Sequence, residues 1–274
     1  PDTAYLNDWL ARSTEIVRKY RPEVMWFDWW INTKEFEPYL QRFAAFYYND
    51  AAKNGYAAAI NYKYNAYPDG AAVLDIERGQ LESSRHLLWQ TDTSISIKSW
   101  GYINGDTFRS PGSLIGELVD IVSKNGCLLL NIGPKPDGTI PDEARSILLD
   151  MGQWLSINGE AIYGTRPWKI YGEGPTKVTG GAFHDTATDN YSSEDIRFTT
   201  KNQTLYAIAL AWPKDGNFLV KSLANGAPHG AMKINHIQLL GSPDKLKWSR
   251  DNNGLHLHLP AQQTGRYAFV FKIT

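Results

Sequence analysis

The chain has 274 residues, with 28 basic and 29 acidic side chains and a formal net charge of −1. That length holds one large domain or two medium ones, and near-neutrality argues against a polyanion-binding surface, so nucleic acid is not an expected partner. The 13% aromatic content either fills a large core or presents rings that stack on sugar faces; composition alone favours the core.

Taken in chain order, Tyr5 to Tyr20 carries Leu6, Trp9, Leu10, Ile16 and Val17 at helical spacing, and Arg21-Pro22 ends it. Val24-Met25-Trp26-Phe27 is a short apolar run that stops at Asp28. A second amphipathic helix is predicted over 35–53, with Asn54-Gly55 as its C-cap. Ala57 to Asn61 reads as the next strand, a long aromatic loop follows, and Leu87 to Thr91 reads as another strand. A helix over 113–124 leads into a strand at Cys127 to Ile132, and a Gly/Pro loop then opens a helix over 142–157. Cys127, in its run of leucines, reads as a buried strand residue, and a single cysteine allows no intramolecular disulfide. No apolar stretch is long enough to span a bilayer. Pro1 leads directly into an amphipathic helix, as in mid-domain, and no signal peptide is legible, which leaves the compartment undecided.

Alternating helices and continuously apolar strands predict a parallel sheet covered on both faces. Asp28, Asn61, Asp92 and Asn131 sit just past strand ends, the end of a (β/α) barrel that carries chemistry. About four strands are legible where such a barrel needs about eight. The expectation is therefore a C-terminal part of a TIM-like barrel over 1–165, its N-terminal half removed or supplied by another chain. Past Arg166-Pro167-Trp168 short β-type runs recur at 196–199, 205–211, 218–221, 234–240, 255–259 and 267–273, separated by turn signals such as Asn252-Asn253-Gly254. They predict an antiparallel β-sandwich over 166–274.

Trp26-Phe27-Asp28-Trp29-Trp30 is the strongest local feature. A carboxylate at a strand end, bracketed by indoles, suits attack on an anomeric carbon. It equally suits capping of the next helix, and the two readings stand level on local grounds. A retaining glycosidase needs a second carboxyl group, for which Asp69, Asp75, Glu77 and Glu82 are all candidates. The six histidines offer no third ligand beside His256 and His258, so no metal is expected, and the glycine loops match no nucleotide fingerprint.

Four further segments make the pattern specific: Ser99-Trp100-Gly101-Tyr102, the run Leu128 to Pro134, Asp137-Gly138-Thr139-Ile140, and Trp154 to Gly164. With Val24 to Asp28 they occur in the order found in glycoside hydrolase family twenty-nine, the retaining α-L-fucosidases, which the chain resembles over residues 5 to 170. The resemblance implies Asp28 as nucleophile and Glu77 as acid/base, with Glu82 in reserve because that loop varies. It implies Trp26 and Trp100 as pocket walls, Trp100 near the sugar methyl, and Lys63 where the family often has arginine. Upstream pocket histidines and a tryptophan of the family have no counterpart in this sequence. The implied substrate is a fucosylated oligosaccharide or glycoconjugate, without cofactor, in a secreted, periplasmic or lysosomal setting. The competing reading is a carbohydrate-binding fragment of such an enzyme that does not turn over.

Overall fold

A computed structural model describes residues 1–186, 190–230, 232–260 and 262–274. The chain divides into two compact units, Pro1–Glu77 with Leu87–Gln90, and Arg78–His86 with Thr91–Thr274.

The first unit holds helices α1 (Thr3–Tyr20) and α2 (Glu37–Asn54) and strands β1 (Val24–Trp26), β2 (Ala59–Lys63) and β3 (Val73–Glu77). Asp2 starts α1 by accepting the Tyr5 N–H at 2.8 Å, and Arg21, in the left-handed region, ends it. Gly55, at φ 71°, closes α2, the position the Asn54-Gly55 signal predicted. Strands β1 and β2 pair in parallel, Trp26 opposite Asn61, and β2 pairs with β3, Lys63 opposite Asp75. Met25, Ile60 and Leu74 face the helices, in one core with Leu6, Val17, Leu40, Phe43 and Tyr47. Because side chains alternate across a strand, Trp26, Asn61, Lys63, Asp75 and Glu77 face the other way. β3 lies inside the segment read from sequence as a loop. Its Asp75 and Glu77 interrupt the apolar run that would have marked it.

Strand β4 (Trp89–Ser94) begins in the first unit and ends in the second, which continues with α3 (Pro111–Ser123), β5 (Gly126–Asn131) and α4 (Asp142–Asn158). The sheet order is β1-β2-β3-β4-β5, so the half-barrel has five strands rather than the four or so read from sequence. Cys127 is exposed, contrary to expectation. On β5 the alternation turns Leu130 to the helical core and leaves Leu129, 48% exposed, on the opposite face with Cys127.

Eight antiparallel strands follow: β6 (Arg166–Glu173), β7 (Ile196–Lys201), β8 (Thr204–Ala209), β9 (Asn217–Val220), β10 (Ile237–Leu239), β11 (Lys247–Arg250), β12 (Leu255–His258) and β13 (Phe269–Ile273). They form sheets ordered β10-β13-β8-β7-β6 and β11-β12-β9. Leu205, Ala207, Phe269 and Phe271 point between the sheets, where Phe271 stacks on Phe218 at 4.5 Å. Tyr206, Ile208, Ala268 and Val270 point the other way, into one core with Leu114, Ile115, Met151 and Trp154 of α3 and α4. The Trp154 indole N–H donates to Ala268 O at 2.8 Å across that core. With both faces covered, β8 is an uninterrupted apolar run rather than an alternating one. Among the described residues, no helix is long and apolar enough to cross a membrane.

Candidate active site

The first unit gathers its polar side chains on the face turned away from α1 and α2. Asp28 lies two residues past β1 and extends the row of Lys63 and Asp75, given the Trp26–Asn61 register. The Phe27 N–H still donates to Asn61 O at 2.9 Å, which carries the strand geometry up to Asp28. Asp28 is exposed, and its Oδ1 accepts the Trp29 N–H at 2.8 Å, capping the single 3-10 turn Trp29–Ile31. The cap is thus made, by one oxygen and to one turn rather than a long helix. Oδ2 takes no part in it.

Asp75 is buried, and its Oδ2 accepts the Trp26 indole N–H and, at 3.0 Å, the Gln90 amide. Its Oδ1 is buried and has no hydrogen-bond partner among the described residues, an arrangement that costs free energy until a donor arrives. Lys63 is buried, with Nζ 3.8 Å from Glu77 Oε2 and 5.3 Å from the Trp26 ring centroid. One ammonium thus links the implied acid/base residue to the implied pocket wall. Trp26 remains 40% exposed, with one edge held by Asp75 and the rest of the ring available. The arrangement offers a nucleophilic carboxylate, a second carboxyl group paired with a lysine, and a fixed indole. Asp69 is exposed in the β2–β3 loop.

Trp100 and Glu82 lie in the second unit. Glu82 is exposed and accepts the Gly180 N–H at 3.4 Å. Trp100 is held by Arg78, whose guanidinium lies 4.6 Å from its ring centroid and donates to the Ser96 and Ser99 carbonyls at 3.2 and 3.5 Å. Asp185 faces the same guanidinium at 3.5 Å and Arg109 at 3.6 Å. Asn131 Nδ2 donates to Trp100 O at 2.6 Å, and a Cβ on Gly133 would lie 2.8 Å from the Gly101 carbonyl carbon and the Tyr102 nitrogen. Two of the sequence signatures are therefore two sides of one backbone-to-backbone contact.

Sequence reasoning missed Gln90 and Arg78. Gln90 carried no signal beyond its place on a strand. Arg78 did carry one, in Glu77-Arg78-Gly79: Arg78 adopts φ 44°, and a side chain at Gly79 would run into the Gly181 carbonyl. His256 pairs with Asp251 at 3.0 Å and His258 with Asn217 at 3.2 Å on the sandwich. Among the described residues no group of three or more metal-ligating side chains comes together.

Residues 1–160 match the family model described as alpha-L-fucosidase, and residues 188–274 match the alpha-L-fucosidase C-terminal domain. The chain is 30% identical over 278 residues to the tissue alpha-L-fucosidase of Homo sapiens, covering 95% of this chain and 53% of that protein. It is 31% identical over 268 residues to the human plasma alpha-L-fucosidase, covering 90% and 50%. The crystal structure of Thermotoga maritima alpha-fucosidase in complex with fucose matches with a TM-score of 0.76 at 26% identity, covering 100% of this chain and 57% of that one. The chain spans about half the length of the curated relatives it matches. With its family match running from the first helix through α4, the chain belongs to the alpha-L-fucosidase family.

Proposed function

We propose that the chain carries the catalytic carboxylates of a retaining α-L-fucosidase acting on fucosylated oligosaccharides or glycoconjugates. Asp28 attacks the anomeric carbon as Glu77 gives its proton to the departing glycosidic oxygen, leaving a fucosyl ester on Asp28. Glu77, now ionised, takes a proton from water, whose oxygen displaces Asp28 and releases fucose with its original configuration. Lys63 and Trp26 bind and orient the sugar, and Trp100 is assigned to substrate binding on its motif alone. The observation that carries the reading is the shared face of Asp28, Lys63, Asp75 and Glu77 past adjacent parallel strands, in a chain of this family. A sheet of five strands does not close a barrel that needs eight. We assign the remaining strands to a longer protein or to another chain, and residues 1–165 and 166–274 to catalytic and sandwich domains.

Glu77 is preferred to Glu82 because it faces the Lys63 ammonium on the Asp28 face. Glu77→Ala should lose far more turnover on poor leaving groups than on activated aryl fucosides, with azide restoring turnover of the activated substrate by displacing the Asp28 ester to give fucosyl azide. The same signature in Glu82→Ala, with Glu77→Ala unaffected, would transfer the acid/base role to Glu82.

A further inference from the structure

We propose that Arg78 and Asp185 are positioning residues for the substrate. The connection between β6 and β7 holds the Arg78 guanidinium, and that guanidinium fixes the face that Trp100 presents to the sugar. The part played by Trp100 as a pocket wall rests on the fucosidase reading; the positioning rests on the contacts below.

Arg78 follows Glu77 in the chain, and its φ of 44° is a conformation that L side chains adopt at a cost. Such a residue keeps that conformation where its surroundings over-determine it, as they do around functional sites. Its N–H donates to Asp92 O at 2.8 Å, and its carbonyl accepts two N–H groups, from His184 at 2.8 Å and from Asp185 at 2.9 Å. One residue on, Thr91 Oγ1 donates to the Gly79 carbonyl at 2.6 Å. Gln80 and Gly181 then exchange both backbone hydrogen bonds, at 3.3 and 2.8 Å. A short antiparallel pairing from the β6–β7 connection therefore clamps the backbone of Arg78 to Gln80.

The side chain is held as firmly. Asp185 is buried, and its Oδ2 accepts the Thr93 hydroxyl at 2.5 Å and lies 3.5 Å from Arg78 Nη1. Arg109 Nη1, 3.6 Å from the same oxygen, is itself 2.7 Å from Glu117 of α3. Arg78 Nη2 points the other way, to the Ser96 and Ser99 carbonyls, and the cation lies over the Trp100 ring. Charge, forked donors and flat face are all in use, a combination that an ammonium does not offer. A buried ion pair is weak evidence for stability alone. This one ends against an indole that stays 36% exposed, so its effect is to orient a surface open to ligand.

The test labels the chain with 5-fluorotryptophan and follows its fluorine NMR resonances as L-fucose is added. Trp100, Trp154 and Trp168 are assigned from the corresponding phenylalanine variants. Fucose should shift the Trp100 resonance of the parent chain. Asp185→Asn and Arg78→Lys should displace that resonance and weaken fucose binding by about three- to tenfold, the range for one well-placed ring contact. Arg78→Ala should do both to a greater degree than Arg78→Lys. Trp154 and Trp168 pack in the helical and inter-sheet cores, and their resonances should stay in place. An unmoved Trp100 resonance in folded Asp185→Asn and Arg78→Lys overturns the proposal, and so does displacement of all three resonances together, which marks a merely structural role. If Asp185→Asn displaces the Trp100 resonance but fucose leaves it untouched in the parent, the wall reading of Trp100 fails and the positioning stands.

Discussion

At the scale of single residues, Asp28 caps the turn Trp29–Ile31 and is proposed as the nucleophile, and substitutions separate the two tasks. In Asp28→Asn the amide oxygen can still accept the Trp29 N–H but cannot attack carbon, whereas the methyl group of Asp28→Ala can do neither. Both variants should lose turnover by about a thousandfold or more. Only Asp28→Ala should lose stability, by about 0.5–1 kcal/mol, seen as a lower midpoint in urea. Equal stability losses would mean that the cap contributes nothing. Asp75 has a different part, since it holds Trp26 and Gln90 rather than reacting. Asp75→Ala removes the acceptor of a part-buried indole N–H and of an amide, and should lower stability by about 1–3 kcal/mol, measured by thermal unfolding. An unchanged Tm would show that Trp26 is fixed by other contacts. From sequence, Asp75 was one of four equivalent carboxylates; its partners lie 49 and 15 residues away, and no local pattern encodes them.

At the scale of elements, the close approach of Gly133 to Gly101 and Tyr102 joins the two short motifs that contain them. Gly133→Ala forces two backbones apart and should cost about 1–3 kcal/mol, with Trp100 fluorescence shifting as its carbonyl loses Asn131. Helix α3 carries a second consequence. Arg109 Nη1 lies 2.7 Å from Glu117 Oε2, yet loss of hydration outweighs that pull and pushes the buried Glu117 carboxyl up to about 7 from 4.5. Between these values the folded chain holds a proton that the unfolded chain has released. Stability from this group is therefore present below pH 4.5, falls through the window and levels off above 7. The total is of order 3 kcal/mol. Glu117→Gln should flatten the Tm profile between pH 4.5 and 7, and an equally steep profile in the variant would contradict the assignment. Helices were the most legible elements, because caps such as Asn54-Gly55 and Arg21-Pro22 act locally. Strands β3, β6 and β11 were missed for physical reasons. Site carboxylates break the apolar run of β3, Pro167 sits inside β6, and β11 is an exposed edge strand with no buried face to pattern it.

At the scale of the whole molecule, the change from continuous apolar strands to short turn-separated ones announced a parallel half-barrel followed by a sandwich. What the pattern did not reveal is that β8 and β13 serve two cores, one between the sheets and one against α3 and α4. A strand buried on both faces reads as a plain apolar run, and its second partner stays hidden. Phe271→Ala, at the stacked pair with Phe218, should cost about 3–5 kcal/mol, measured by urea unfolding; a loss below about 1 kcal/mol would show that the inter-sheet core does not depend on that ring. The half-barrel gives Asp28 its place, and the central claim is that this carboxylate forms the covalent intermediate. Incubation with an activated 2-fluoro-fucoside followed by peptide mapping tests it most directly. The account predicts one fucosyl equivalent on the peptide containing Trp26-Phe27-Asp28, lost in Asp28→Asn. Labelling of a different carboxylate, or full turnover by Asp28→Ala, would contradict it.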